Sequence, residues 1–62
     1  MKGLKYARVK KNLTQKQLAQ EINATNEQIS TWENGKTSPN IHTLEKLSEV
    51  LEVTIDYLVK GE

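Results

Sequence analysis

Residues that begin helices recur at short intervals along this sequence and divide it into brief segments. Thr14, Thr25 and Asn40 each precede a run with helical spacing of apolar residues, and their side-chain oxygens can accept from amides of the following turn. Gln17 and Gln28 stand three residues after the two threonines, which is the capping-box position. No run of four or more residues alternates as a half-buried strand does. The pattern therefore predicts an all-α chain.

Stop signals complete a pattern of five helices. Asn12, Gly35 and Gly61 stand where helices are expected to end, and Pro39 forces the residue before it out of the helical region. We predict helices over about residues 2–11, 15–22, 26–34, 41–52 and 55–60. Because each is so short, all must share one core to be stable. The residues predicted to form this core are Leu4, Ala7, Leu13, Leu18, Ala19, Ile22, Ile29, Trp32, Ile41, Leu44, Leu47, Leu51, Val53, Ile55 and Leu58.

The length of 62 residues predicts one domain, residues 1–62, and the composition disfavours several kinds of site. Without cysteine there is no disulfide and no thiolate site, and a single histidine, His42, leads us to expect no metal. His42 has no nucleophile or paired carboxylate near it in sequence, and no glycine-rich phosphate loop is present. We therefore expect no enzyme, no cofactor and no small-molecule ligand. Without a membrane-length apolar run or a signal-peptide pattern, we also expect a cytoplasmic protein with no membrane partner.

The net charge of +1 hides an uneven distribution along the chain. Residues 1–36 carry seven basic and three acidic groups, a net charge of +4. Residues 37–62 carry two basic and five acidic groups, a net charge of −3. A basic part beside an acidic part favours a polyanionic partner on one side of the molecule, although chance in a lysine-rich chain gives the same distribution.

The second and third predicted helices form a helix–short turn–helix unit. In DNA-binding units of this kind the second helix lies in the major groove, but short turns are also common in ordinary helical bundles. On a helical wheel, Ile29 and Trp32 lie on one side of the third helix. The opposite side consists of polar side chains: Glu27, Ser30, Thr31 and Asn34.

This polar face suits hydrogen bonding to base edges. Asn26 and Gln28 flank it at the N-terminal end, and both residue types can bond bidentately to adenine. Glu27 can accept from the cytosine amino group, and Thr31 can bond a base or contact a thymine methyl. A merely solvated helix face is also polar, but in so lysine-rich a chain it would more often carry a lysine. The third helix is therefore a candidate recognition helix.

A set of motifs carries a resemblance to a known family. Its members are Arg8, Leu13-Thr14-Gln15, Leu18-Ala19, Ile29-Ser30, Trp32-Glu33, Gly35, Pro39, Leu44 and the stretch 51–58. Each is weak alone, but the set resembles the Cro/C1-type helix-turn-helix family, which includes the lambda repressor, from about Leu4 to Leu58. The resemblance implies a compact five-helix, lambda-repressor-like DNA-binding domain in which helices 2 and 3 form the helix-turn-helix.

The resemblance also implies roles for individual residues. Asn26, Glu27 and Thr31 match the positions that read bases, and Gln28 and Ser30, which lie on or beside the same polar face, are also expected to read them. Gln15, Asn34, Lys36 and Thr37 match the positions that contact the DNA backbone, and Thr14, which precedes Gln15, is expected to contact it as well. Arg8 and Glu33 are expected to form a partly buried structural ion pair. Glu27 departs from the small or basic residue frequent at its position, so its carboxylate must meet a cytosine amino group or a lysine, or else it repels phosphate.

The function that the resemblance implies is sequence-specific regulation of transcription on double-stranded DNA, in a bacterium or phage and near the nucleoid. One module reads too few base pairs to specify a genomic site, so we expect a homodimer on a palindromic operator. Val53, Tyr57 and Val59 mark the expected, weak contact between copies. A dimer over a promoter would compete with polymerase, so we expect repression. The alternative is a protein-interaction module, such as an antitoxin or anti-repressor, which the low net charge favours.

Overall fold

The computed structural model describes residues 1–62 as five α-helices without a strand, which confirms the predicted all-α class. The helices are α1 (Lys2–Lys10), α2 (Gln15–Glu21), α3 (Asn26–Glu33), α4 (Ile41–Leu51) and α5 (Ile55–Lys60). The first four helices end one residue before the predicted boundary. None of the helices combines the length and apolar character needed to cross a membrane.

Side-chain caps determine where the helices begin. Thr14 Oγ1 accepts from the Gln17 amide at 3.0 Å, and Gln17 Oε1 accepts from the Thr14 amide at 2.9 Å. Thr25 and Gln28 repeat this reciprocal arrangement at the start of α3. Each box pairs two amides that a helix start otherwise leaves without a partner. Single side-chain caps open α4 and α5, from Asn40 and Thr54.

One apolar core joins all the helices. Its buried residues are Leu4, Ala7, Leu18, Ala19, Ile22, Ile29, Trp32, Leu47, Leu51 and Leu58, and all belong to the predicted set. The other predicted core residues apart from Ile41 are only partly buried: Leu13, Leu44, Val53 and Ile55. The prediction for Ile41 is wrong, since its side chain is 56% exposed. Ile41 opens α4, whereas the buried residues of that helix lie in its C-terminal half, so the core does not reach the first turn.

Gly3 is a buried position that the sequence pattern does not reveal. A Cβ added to Gly3 would lie 1.8 Å from the carbonyl oxygen of Tyr57. That oxygen belongs to the backbone of α5 and cannot rotate away as a side chain would. The absence of a side chain at Gly3 therefore sets how closely α1 and α5 approach.

We predict that Gly3→Ala destabilises the fold, although alanine is by itself the better helix former by about 1 kcal/mol. The added methyl group forces α1 away from α5, so the free energy of unfolding should fall by about 2–3 kcal/mol. Chemical denaturation followed by Trp32 fluorescence measures this change.

Gly35→Ala is the matched control for that substitution. Gly35 has nothing within 4 Å of an added Cβ, but its φ is +76°. Its replacement should cost about 1 kcal/mol through backbone strain alone. A loss for Gly3→Ala no larger than this would contradict the steric explanation.

Candidate nucleic-acid interface

A short turn and shared buried side chains join α2 and α3 into one unit. Asn23 in the turn has a φ of 59°, and the Ala24 amide donates to the Ala19 carbonyl oxygen at 2.8 Å. Leu18 from α2 and Ile29 from α3 are completely buried. Because the inner faces of both helices are occupied by the core, the outer face of α3 is turned to solvent.

That outer face is polar and carries no lysine or arginine. Asn26, Glu27 and Gln28 are exposed, while Ser30 and Thr31 are partly exposed. All the residues that were assigned to base reading are thus accessible. Trp32, on the inner face, is only 7% exposed, as expected for a core residue.

Two of these side chains already have hydrogen-bond partners within the chain. Gln28 Oε1 accepts from the Thr25 amide at 3.0 Å, so the cap uses one of the two lone pairs of that oxygen and leaves both amide hydrogens for an external acceptor. A bidentate bond to adenine would need this same oxygen as an acceptor, so it would compete with the cap. Thr31 Oγ1 donates to the Glu27 carbonyl oxygen at 2.9 Å. None of the side-chain hydrogen bonds at this helix, by contrast, involves the side chain of Asn26, Glu27 or Ser30.

Gln15 opens α2, and its side chain reaches α3. Its Nε2 donates to Glu33 Oε1 at 3.0 Å. An amide nitrogen carries two hydrogens, so one remains for an acceptor outside the protein. Gln15 is partly exposed, which leaves that second hydrogen accessible. The bond to Glu33 was not expected from the sequence, because the two residues are far apart along the chain.

Glu33 also receives Arg8 from α1. Arg8 Nε donates to Glu33 Oε2 at 2.7 Å, and Arg8 Nη1 donates to the Leu13 carbonyl oxygen at 2.8 Å. The Arg8 and Glu33 side chains are only 12% and 7% exposed. The two residues of the expected ion pair therefore lie in contact, and their network joins α1, the start of α2 and the end of α3.

The other residues assigned to the DNA backbone lie before α2 and after α3. The Thr14 hydroxyl accepts from the Gln17 amide as the α2 cap and keeps its own hydrogen for an external acceptor. Asn34, Lys36 and Thr37 are exposed. The positive φ of Gly35, 76°, turns the chain out of α3, and the Lys36 amide closes the turn on the Thr31 carbonyl oxygen at 3.2 Å.

Lys11 and Glu52 form an ion pair between the ends of α1 and α4, outside this unit. The hydrogen bond and charge of Lys11 lower the pKa of the Glu52 carboxyl. The pair therefore adds stability above the ordinary carboxyl pKa, and this contribution is lost as pH falls through the lowered value. Both side chains reach solvent, so the contribution is small. Glu52 has a left-handed backbone, with φ of 57°, where glycine or asparagine is more usual.

Comparison with known proteins extends over most of the chain. A family model described as helix-turn-helix matches residues 4–58. The chain is 46% identical over 59 residues to the HTH-type transcriptional activator BcrR of Enterococcus faecalis, covering 95% of this chain and 29% of that protein. It is 41% identical over 58 residues to the HTH-type transcriptional regulator ImmR of Bacillus subtilis, covering 94% and 46% of the two.

A phage protein is similar in both sequence and fold. Repressor protein C2 of Salmonella phage P22 is 38% identical over 55 residues, covering 89% of this chain and 26% of that protein. The chain thus spans between about a quarter and a half of these curated relatives. The crystal structure of the P22 c2 repressor in complex with a synthetic operator has a TM-score of 0.89 and 34% identity, covering 98% of this chain and 92% of that one. This similarity confirms the expected repressor-like fold, and with the match over residues 4–58 it follows that the chain belongs to the Cro/C1-type helix-turn-helix family.

Proposed function

We propose that this chain is the DNA-reading module of a transcriptional regulator and inserts α3 into the major groove of double-stranded DNA. The observation that carries the proposal is the outer face of α3, where Asn26, Glu27 and Ser30 are accessible and free of internal partners. A face without lysine or arginine gains little from phosphates, so it suits hydrogen bonds to base edges. The P22 c2 repressor, whose fold is so similar, is bound to an operator in its crystal structure.

The side chains of α3 differ in the bases that their chemistry allows them to recognise. Asn26 can bond bidentately to adenine, and Glu27 can accept from the cytosine amino group. The Thr31 hydroxyl donates to the Glu27 carbonyl oxygen, so Thr31 offers its methyl group and the two lone pairs of its hydroxyl oxygen. Gln28 contributes an amide hydrogen while its oxygen keeps the cap on Thr25.

Contacts to the DNA backbone would hold α3 in register. The second amide hydrogen of Gln15 can reach a phosphate oxygen, and Lys36 adds the positive charge of the loop after α3. Asn34 and Thr37 in the same loop can donate further hydrogen bonds. Such contacts carry no sequence information, but they position the module and make its affinity depend on salt.

Two copies on a palindromic operator are part of the proposal. Val59 on α5 is 48% exposed, and Val53 and Tyr57 are half-buried against the core. Val53 and Tyr57 also line a groove of about 340 Å³ between α1, α4 and α5. This apolar surface is small, so the contact would be weak and would form mainly on DNA.

The relatives include an activator as well as a repressor, so the position of the operator, rather than this module, would decide between repression and activation.

Selection of bound duplexes from a random pool should return a two-fold symmetric sequence with half-sites about one helical turn apart. On that site, fluorescence anisotropy should show affinity falling steeply with salt.

Asn26→Ala should relax specificity at one base pair, at a cost of about 1–3 kcal/mol. Gln15→Ala should weaken binding to all sequences alike.

Gln20→Ala, exposed near the other end of α2, is the control for Gln15→Ala and should not change affinity. An unchanged affinity after Gln15→Ala combined with Thr31→Ala would contradict the residue assignments.

If a pull-down retained no DNA at low salt but recovered a stoichiometric protein partner, the chain would be a protein-interaction module instead.

The contact between copies is tested by Val59→Lys. Because Val59 is half exposed, the substitution should change the unfolding temperature little. The ratio of the affinities for a palindromic operator and for an isolated half-site should fall about tenfold, the equivalent of about 1.4 kcal/mol. Ile41→Lys replaces a similarly exposed apolar residue on α4 and should leave this ratio of affinities unchanged. Equal behaviour of the two variants would place the contact elsewhere.

A further inference from the structure

A groove lined by lysines lies between the start of α1 and the end of α5. Its volume is about 490 Å³, and its lining residues are Lys2, Lys5, Tyr6, Glu33, Lys60 and Gly61. A Cβ added to Gly61 would lie 3.1 Å from the Cβ of Lys2, so the end of α5 rests directly on the first turn of α1. This close approach brings lysines from two helices into one groove, which we call the lysine groove.

The positive charges of the lysine groove are not balanced within the chain. The ion pairs of the protein are Arg8–Glu33, Lys11–Glu52 and His42–Glu45, and none includes a lysine of the groove. The one carboxylate in the lining, Glu33, is already bonded by Arg8 and Gln15. Tyr6 lies beside the lysines with 64% of its surface exposed. The groove therefore presents ammonium groups and a phenolic hydroxyl to an anionic partner.

Glu33 also connects the lysine groove to the proposed DNA interface. It lines the groove and accepts from Gln15 Nε2 at 3.0 Å. The groove thus begins one side chain away from the residue proposed to bond a phosphate. Because each DNA strand carries a phosphate about every 3.4 Å along the helix axis, a strand that passes Gln15 presents further phosphates to the neighbouring surface.

We propose that the lysine groove binds phosphates of the DNA that flanks each half-site. Lys2, Lys5 and Lys60 pair with the phosphates, and the Tyr6 hydroxyl donates to a phosphate oxygen. The inference rests on the proposed function and extends the contact beyond the helix-turn-helix and the loop after α3. The groove carries no base information, but it lengthens the DNA that the module holds. An acidic protein segment would match the charge as well, but the continuity with Gln15 favours DNA.

Two duplexes of different length distinguish a DNA contact made by the lysine groove from one made by the helix-turn-helix. One holds the selected operator with flanks of about five base pairs, and the other ends at the outer edges of the half-sites. On the long duplex, the triple variant Lys2→Gln, Lys5→Gln, Lys60→Gln should bind about tenfold more weakly at low salt, with the salt slope reduced by about 2–3. On the short duplex, the variant and the unmodified protein should bind equally. Equal binding on the long duplex, or the same loss on both duplexes, would overturn the proposal.

Two single substitutions test whether a loss of affinity comes from the proposed contact rather than from a change in net charge or in stability. Lys46→Gln, exposed on α4 and outside the groove, is the charge-matched control for Lys5→Gln and should leave affinity unchanged. Lys2→Glu places an acidic residue in the first turn of α1, where the helix dipole favours it. It should therefore unfold at the same or a higher temperature while binding the long duplex more weakly. If Lys2→Glu bound the long duplex as well as the unmodified protein does, the proposal would be overturned.

The same experiments distinguish this proposal from the function on which it rests. If the unmodified protein bound neither duplex, the proposed function itself would fail. If the triple variant bound both duplexes normally but lost binding to a polyglutamate peptide that the unmodified protein holds, the groove would belong to an acidic protein partner and the proposal would be overturned.

Discussion

The carboxylate of Glu33 is the point at which three parts of this small fold meet. It accepts from Arg8 Nε at 2.7 Å and from Gln15 Nε2 at 3.0 Å, while Arg8 also donates to the Leu13 carbonyl oxygen just before α2. With 12% and 7% of their side chains exposed, Arg8 and Glu33 are largely removed from water. Loss of either partner would leave a buried charge without compensation, at a cost on the order of 3–5 kcal/mol. The same pair that holds α1 against α3 thus also fixes the position of Gln15.

Because the core is small, local interactions such as helix caps contribute much of the stability, and one of these caps uses a residue that is proposed to contact DNA. A chain of 62 residues has a total stability of only about 3–9 kcal/mol, and a single helix cap contributes about 1 kcal/mol. The four side-chain caps therefore form a large part of the total. The cap between Thr25 and Gln28 has a further consequence, because it uses the Gln28 oxygen that a bidentate contact to adenine would need. Under the proposed function, the stability of α3 and the reading of bases would therefore depend on the same Gln28 side chain.

Features with a local signal could be predicted from the sequence, and features that depend on distant residues could not. The capping boxes at Thr14 and Thr25 and the chain turn at Gly35 follow from residue types at fixed spacing. Ile41 matches the inward period of α4 but is exposed, because the core ends before that turn. The polar face of α3 was visible in the sequence. The bond from Gln15 to Glu33 and the lysine groove were not, since both depend on how helices pack together.

If Glu33 positions Gln15 as well as balancing Arg8, two double variants will separate these roles. Arg8→Met with Glu33→Leu and Arg8→Met with Glu33→Gln both remove the buried charges together, so both should fold, as thermal unfolding would show. Only glutamine keeps an acceptor for Gln15 Nε2 at that position. The leucine variant should therefore bind the selected operator about tenfold more weakly than the glutamine variant, the equivalent of about 1.4 kcal/mol. Equal affinities of two folded variants would contradict the role of Glu33 in positioning Gln15.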